Sequence, residues 1–203
     1  MQFQSGDIFA CYGADFVARA ISLETSLTSL ITGPPGLRWS PSHVAISSGI
    51  DEDSLSQQVW FESTTFCTRK CLVQDRVVQG VQVHEHQSRI DDYLAAGGYV
   101  DVWRLVYVDK LSESHQKSLT RTLRKFIGAT YDMSGAALSG TRVIKWLPFQ
   151  RANLHRLFCS ELISAVLQRI CVMNRENPSV FNPGSLLREL VRHGTYQRVA
   201  KIR

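Results

Sequence analysis

Hydrophobic and polar residues alternate, or apolar residues form short runs, through most of the first half of the chain. This period of two is typical of β-strands. It predicts five strands, over residues 7–12, 43–47, 58–62, 77–83 and 99–105. An apolar, helix-like stretch over residues 15–30 separates the first two strands. It ends at the cluster Gly33-Pro34-Pro35-Gly36, which no regular element tolerates.

In the second half the apolar spacing changes to three and four residues, which is typical of amphipathic helices. One such helix carries Leu119, Leu123 and Phe126 on one side, and Gly128 is placed to end it in the left-handed conformation. The other predicted elements are a short helix from Ser134, a helix over residues 157–172, a helix from Pro183 capped by Asn182 and stopped by Gly194, and an edge strand over residues 195–202. Strands in one half and helices in the other predict an α+β fold, with an antiparallel β-sheet packed against a helical layer in a single domain over residues 1–203.

Composition and charge narrow the function classes. The chain has 203 residues, of which 44% are hydrophobic and 20% charged, an ordinary globular balance. No apolar run approaches the ~20 residues that cross a bilayer, and the N-terminus lacks the pattern of a secretory signal, so we predict a cytoplasmic protein. The net charge of +5 is concentrated on the late helices without interleaved aromatics. This favours solvated helix faces over nucleic-acid binding and leaves contact with an anionic or membrane surface open.

The five cysteines are odd in number and irregular in spacing, which favours a reduced compartment with at least one free thiol. Cys67 and Cys71 could form half of a zinc site, but no second pair at finger-like spacing completes it. His84 and His86 follow the alternating pattern of a strand. The sequence therefore predicts no metal and no cofactor. We expect Cys11 and Cys171 to be ordinary buried thiols in the core.

The first candidate for chemistry is a pair on neighbouring strands, His43 and Glu62. If the polar segment 51–53 is the centre of an antiparallel hairpin, the two residues lie directly opposite each other, with Cβ atoms ~5 Å apart. A carboxylate at that distance can fix the imidazole tautomer and stabilise imidazolium, which leaves the second ring nitrogen to accept a proton from a nucleophile.

The second candidate is Cys159, which stands in the first turn or so of the predicted helix 157–172. Backbone N–H groups without intrahelical partners, together with the helix dipole, favour the nucleophilic thiolate at this position. The same N–H groups can line an oxyanion hole. The alternative is that Cys159 is a small apolar residue packed in the core.

Several short motifs occur along the chain in a characteristic order. They are Gly6-Asp-Ile-Phe, Ser42-His-Val-Ala-Ile, Phe61-Glu-Ser, Gly128-Ala-Thr-Tyr-Asp, Phe158-Cys-Ser-Glu-Leu and Asn182-Pro-Gly-Ser-Leu. This order resembles the circularly permuted NlpC/P60 group of papain-like proteins, in the YiiX/YaeF-like branch that includes a poxviral relative. In that group the histidine precedes the cysteine, and an acidic residue lies on the strand after the histidine. The resemblance therefore implies a permuted papain-like fold with Cys159 as nucleophile, His43 as base and Glu62 as the residue that orients the base.

The activity that the resemblance implies is attack of the Cys159 thiolate on an amide carbonyl, through a thioester acyl-enzyme, in a cysteine amidase or peptidase with a small peptide-like substrate. Two alternatives stay open. One is a thiol acyltransferase or lipase acting on lipid esters, because relatives of lecithin–retinol acyltransferase share the His-then-Cys order, although this chain lacks their Asn-Cys-Glu-His-Phe run. The other is a non-catalytic binding module that keeps the fold. We expect Tyr12, Trp39 and Tyr131 to line the substrate pocket.

Overall fold

The computed structural model describes residues 1–14, 37, 39–106, 111–131 and 157–203. The expected helix-like stretch 15–30, the Pro/Gly cluster 33–36 and the short helix from Ser134 lie outside these residues. No helix among the described residues is long and apolar enough to span a membrane.

The described part of the chain is built around a six-stranded antiparallel sheet, which confirms the predicted α+β class. Its strands lie in the order β4-β3-β2-β1-β5-β6. The strands are β1 Ile8–Tyr12, β2 His43–Gly49, β3 Gln58–Thr64, β4 Gly80–His84, β5 Tyr99–Leu105 and β6 Tyr196–Ile202. The helices are α1 His86–Ala95, α2 Glu113–Phe126, α3 Cys159–Arg169 and α4 Pro183–Arg192, with a 3-10 turn at Pro178–Val180.

The period of two in the strands places an apolar core on each face of the sheet. On one face, Ile8, Ala10 and Ile46 pack with the buried stripes of α2, α3 and α4. On the other face, Phe9 and Trp60 pack with residues of α1. Residues at alternate strand positions therefore face different helical layers, and α1 covers the face that carries Phe9.

The predicted hairpin register is wrong by two residues. β2 and β3 do pair antiparallel, but Ile46 faces Phe61 and Ser48 faces Val59. In this register Glu62 lies two residues away from the position opposite His43. The connection of residues 50–57 is longer than the acidic segment, because the Ile50 N–H donates to the Gln57 carbonyl and closes a wider loop. A shift of two residues keeps the side chains of His43 and Glu62 on the same face.

The predicted glycines at the ends of α2 and α4 and the predicted Asn182 cap of α4 are confirmed. Gly128 has a positive φ of 95° just after α2, and Gly194 has one of 65° just after α4. The Asn182 side chain caps α4 in a capping box with Ser185.

Three other expectations need correction. The helix α1 replaces the strand pattern expected at His86, and β4 begins at Gly80 rather than at residue 77. Helix α3 is shorter than expected and ends at Arg169. Cys171 is therefore not a buried residue of that helix: it is exposed, with a positive φ of 59°. Cys11, in contrast, is fully buried as expected.

Candidate active site

The side chains of His43 and Glu62 are in direct contact despite their diagonal register. His43 Nε2 lies 2.8 Å from Glu62 Oε2, and the two residues are 9% and 0% exposed. Diagonal neighbours on one face of a sheet are within reach of long side chains. The contact occupies Nε2 and leaves Nδ1 as the second nitrogen of the ring.

Cys159 is the first residue of α3, and its side chain lies close enough to the His43 imidazole to raise the pKa of that ring. The residue before it, Phe158, is the N-cap and supplies no side-chain cap. The backbone N–H groups of the first turn therefore have no intrahelical acceptor. The structure thus brings Cys159, His43 and Glu62 together in one line, from a helix start through an imidazole to a buried carboxylate.

The segment that leads into α3 is anchored to the strand that carries Glu62. The Ser63 hydroxyl donates to the Leu157 carbonyl at 2.5 Å, and the Leu157 N–H donates to the Thr130 carbonyl at 2.9 Å. The Ser160 hydroxyl donates to the Phe181 carbonyl at 2.6 Å. The Ser63–Leu157 hydrogen bond is buried and fixes the segment before α3 against β3, which positions the thiol relative to the imidazole.

The electrostatics of this line favour the charged form of His43. Burial alone would lower the pKa of His43, but the neighbouring Cys159 and Glu62 side chains outweigh burial and raise this pKa to about 9. The imidazole is therefore protonated below pH 9 and neutral above it. At pH 7 His43 is an imidazolium that lies between the Cys159 side chain and the Glu62 carboxylate.

This shift can be checked by NMR titration of the His43 ring protons. We expect a midpoint near pH 9 in the wild-type protein. The Cys159→Ala variant should titrate at least about one unit lower, because it loses the thiolate while the burial of the ring, which opposes protonation, remains. A midpoint that is the same in both proteins would show that the thiolate does not stabilise the imidazolium.

An arginine that the sequence patterns did not single out completes the surroundings of Glu62. Arg89, on α1, donates from Nε to Glu62 Oε1 at 2.6 Å and from Nη2 to Oε2 at 3.2 Å. Burial would raise the pKa of Glu62, but the Arg89 charge and the His43 hydrogen bond hold it well below its usual range. The apolar spacing of Ile90, Tyr93 and Leu94 is the signal that could have revealed α1 and, with it, Arg89.

A second cysteine–histidine contact lies beside the first and shares the same carboxylate. Cys67 Sγ is 3.5 Å from His84 Nε2, which is 3.9 Å from Glu62 Oε1. All three residues are buried. Burial raises the pKa of Cys67 and lowers that of His84, so this pair is a thiol and a neutral imidazole.

The three residues expected to bind substrate lie in different surroundings. Tyr12 is 7% exposed and stacks on Tyr99 with ring centroids 4.4 Å apart. Trp39 is 56% exposed, four residues before His43. Tyr131 is half-buried and follows Thr130, which pairs with the segment before Cys159. A role in binding stays a prediction for all three.

A cavity of about 700 Å³ lies at the opposite end of the sheet from this site. The N-terminal segment, the β2–β3 connection and the start of α2 line it. It contains neither Cys159 nor His43, and we assign it no part in the chemistry.

Comparison with known proteins supports the fold. No protein-family model matches the sequence, and no curated protein matches it. Among solved structures, the metalloprotein yiiX from Escherichia coli O157:H7 (DUF1105) is similar, with a TM-score of 0.61 and 18% sequence identity over 99% of this chain and 98% of that chain. At this identity the likeness concerns the fold alone. The chain therefore shares the fold of yiiX over nearly the full length of both proteins, in agreement at that level with the YiiX-like order of motifs in its sequence.

Proposed function

We propose that this protein is a papain-like cysteine hydrolase of the permuted NlpC/P60 type that cleaves a peptide-like amide bond. The observation that carries the proposal is the buried line from Cys159 through His43 to Glu62, with His43 held as an imidazolium. A cysteine that is a thiolate beside an imidazolium needs no separate base to become a nucleophile. The protonated His43 can then donate its proton to the leaving amine.

In the proposed reaction, the Cys159 thiolate forms a bond to the amide carbonyl carbon and gives a tetrahedral oxyanion. The free N–H groups at the start of α3 are placed to stabilise that charge. The C–N bond breaks as His43 protonates the nitrogen, and a thioester remains on Cys159. Water, deprotonated by the now neutral His43, hydrolyses the thioester and regenerates the thiolate–imidazolium pair.

The charge state of the second pair disfavours Cys67 as the nucleophile. Cys67 is not at a helix start, and its pKa is raised by burial. Its partner, His84, has a lowered pKa and directs Nε2 at the Gln82 amide oxygen, 2.9 Å away. A neutral thiol beside a neutral imidazole is a poor nucleophile, because the thiolate is the reactive species.

Because yiiX is described as a metalloprotein, we tested whether Glu62, Cys67 and His84 suit a metal ion. Their donor atoms lie within 4.8 Å of one another, but each of two donors already has a protein partner. Both carboxylate oxygens of Glu62 accept hydrogen bonds from Arg89, and His84 Nε2 contacts Gln82. A cation would also face the Arg89 charge at close range. The group does not fit a metal in this arrangement, and we derive no step through one.

A second candidate function is acyl transfer or hydrolysis on lipid esters. Trp39 and Phe66 are 56% and 71% exposed. They flank the same end of the sheet, since β2 begins at His43 and the antiparallel β3 ends at Thr64. Exposed aromatic side chains beside a site suit an apolar substrate or a lipid surface. The basic late helices, for which contact with a membrane surface stayed open, lie only partly within the described residues.

The experiment for the catalytic proposal uses the exposed thiol of Cys171 as an internal reference. We expect iodoacetamide at neutral pH to alkylate Cys159 about tenfold faster than Cys171, although Cys159 is 4% exposed, because only Cys159 is paired with an imidazolium. Peptide mapping by mass spectrometry gives both rates in one sample. The His43→Gln variant should remove the difference. A Cys159 that reacts no faster than Cys171, with no response to that substitution, would contradict the proposal and favour a non-catalytic module.

A further inference from the structure

We propose that Arg89 is a positioning residue of the active site, whose guanidinium fork keeps Glu62 ionised and directs its Oε2 atom at His43. This inference rests on the proposed function, because it assigns Arg89 a role in the Cys159–His43 pair. Nothing in the strand and motif patterns of the sequence suggested it.

The geometry is that of a two-point clamp. Nε and Nη2 of Arg89 each donate to a different oxygen of Glu62, at 2.6 and 3.2 Å. A planar guanidinium that contacts both oxygens fixes the plane of the carboxylate as well as its position. Oε2, which His43 Nε2 contacts at 2.8 Å, is one of the two clamped atoms, so the direction of the clamp determines the direction of the imidazole.

Arg89 also forms an ion pair with Asp92, on the side away from Glu62. Its third nitrogen, Nη1, donates to Asp92 Oδ2 at 2.7 Å, and Asp92 also accepts two hydrogen bonds from Arg69, at 2.6 and 2.8 Å. Arg89 is 7% exposed, whereas the side chains of Asp92 and Arg69 are 33% and 44% exposed. A chain of alternating charges therefore runs from the surface to His43, and each inner member, Asp92, Arg89 and Glu62, has an opposite charge on both sides.

The charge of Arg89 decides where the proton between His43 and Glu62 resides. A carboxylate in a dry site without a counter-charge binds a proton readily, since burial disfavours its charged form. Facing Glu62 are His43 from β2, Cys11 from β1, Arg89 and Tyr93 from α1, and His84 and Cys67 on and beside β4. Of these, only Arg89 and the imidazolium of His43 carry a positive charge at neutral pH. Arg89 thus lets Glu62 stabilise the imidazolium without taking its proton.

Removal of the Arg89 charge should therefore make Glu62 titrate within the range in which Cys159 reacts. We expect the acidic limb of the pH profile for Cys159 alkylation to move up by about one pH unit or more in Arg89→Gln, because protonated Glu62 no longer stabilises the imidazolium. In the Glu62→Gln background the same Arg89→Gln substitution should cause no further shift. A merely structural arginine would lower the thermal midpoint and leave the profile in place.

The Arg89→Lys variant separates the effect of the positive charge on Glu62 from the effect of the guanidinium on the orientation of the carboxylate. Arg89→Lys keeps the positive charge but loses the fork, so the acidic limb should stay in place while the plateau rate of alkylation falls about threefold. As a matched control, Arg121→Gln should give the wild-type profile, since Arg121 makes an equally close ion pair with Glu52 on an exposed surface. Circular dichroism on each variant identifies those that are folded.

The outcomes distinguish this inference from the proposed function. A folded Arg89→Gln protein with the wild-type profile overturns the role of Arg89 and leaves the hydrolase proposal intact. If Arg89→Gln does not fold, Arg89→Lys decides, and an unchanged plateau rate overturns the positioning role. A wild-type Cys159 that is no more reactive than Cys171 overturns the proposed function itself.

Discussion

Replacement of Cys159 by alanine should reduce the rate of hydrolysis on the order of 10³-fold or more, because it removes the attacking atom of the proposed reaction. The measurement is turnover on a panel that includes short peptide anilides, fatty-acyl nitrophenyl esters and phospholipid vesicles. The preferred member of the panel separates the two candidate functions. Peptide anilides should be cleaved if the site acts on amides, whereas vesicles should be preferred if Trp39 and Phe66 contact a lipid surface.

The chain contains its own controls for this result. Cys67→Ser alters the thiol beside His84, and Cys171→Ser alters the exposed thiol; both should keep turnover close to the wild-type value. If Cys67→Ser loses activity while Cys159→Ala keeps full activity, the nucleophile is Cys67 and not Cys159. That comparison is informative because each cysteine lies beside a histidine that contacts Glu62.

The sequence predicted the face of the His43–Glu62 contact but not its register. The alternation of apolar residues fixes which side of a strand each side chain occupies, and His43 and Glu62 occupy the same side under any even shift. The number of residues in the turn was not readable from polarity alone. Residues 54–57, which follow the acidic segment, belong to the β2–β3 connection and close it through the Ile50–Gln57 hydrogen bond.

The contact between Arg89 and Glu62 was not predicted from the sequence, for a different physical reason. Helix α1 has no side-chain cap and no acidic residue in its first turn, so the usual signals of a helix start are absent. Its buried residues include His86 and Arg89, which a pattern of apolar positions counts as polar. The helix is stabilised by packing of Ile90 and Tyr93 against the sheet and by ion pairs, which are tertiary effects.

Because Glu62 is fully buried in an ion pair, its replacement should also lower the stability of the fold. Glu62→Leu should lower the free energy of unfolding by about 3–5 kcal/mol, since it leaves the Arg89 guanidinium buried with only Asp92 as a partner. For a domain of this size the loss corresponds to a fall in Tm on the order of 10 °C. Glu62→Gln should cost less, because the amide oxygen still accepts one hydrogen bond from Arg89. Urea denaturation followed by circular dichroism gives both values.

The double variant Glu62→Leu/Arg89→Met tests whether an unpaired charge is the cause. Removal of both partners of a buried ion pair costs far less than removal of one, so the double variant should recover a large part of the stability lost in Glu62→Leu. It should not recover the reactivity of Cys159, because His43 still lacks its carboxylate. A double variant as unstable as the single one would mean that side-chain packing, and not charge pairing, accounts for the contribution of Glu62 to the fold. The recovery of stability without recovery of reactivity would separate the two contributions of this residue within one pair of proteins.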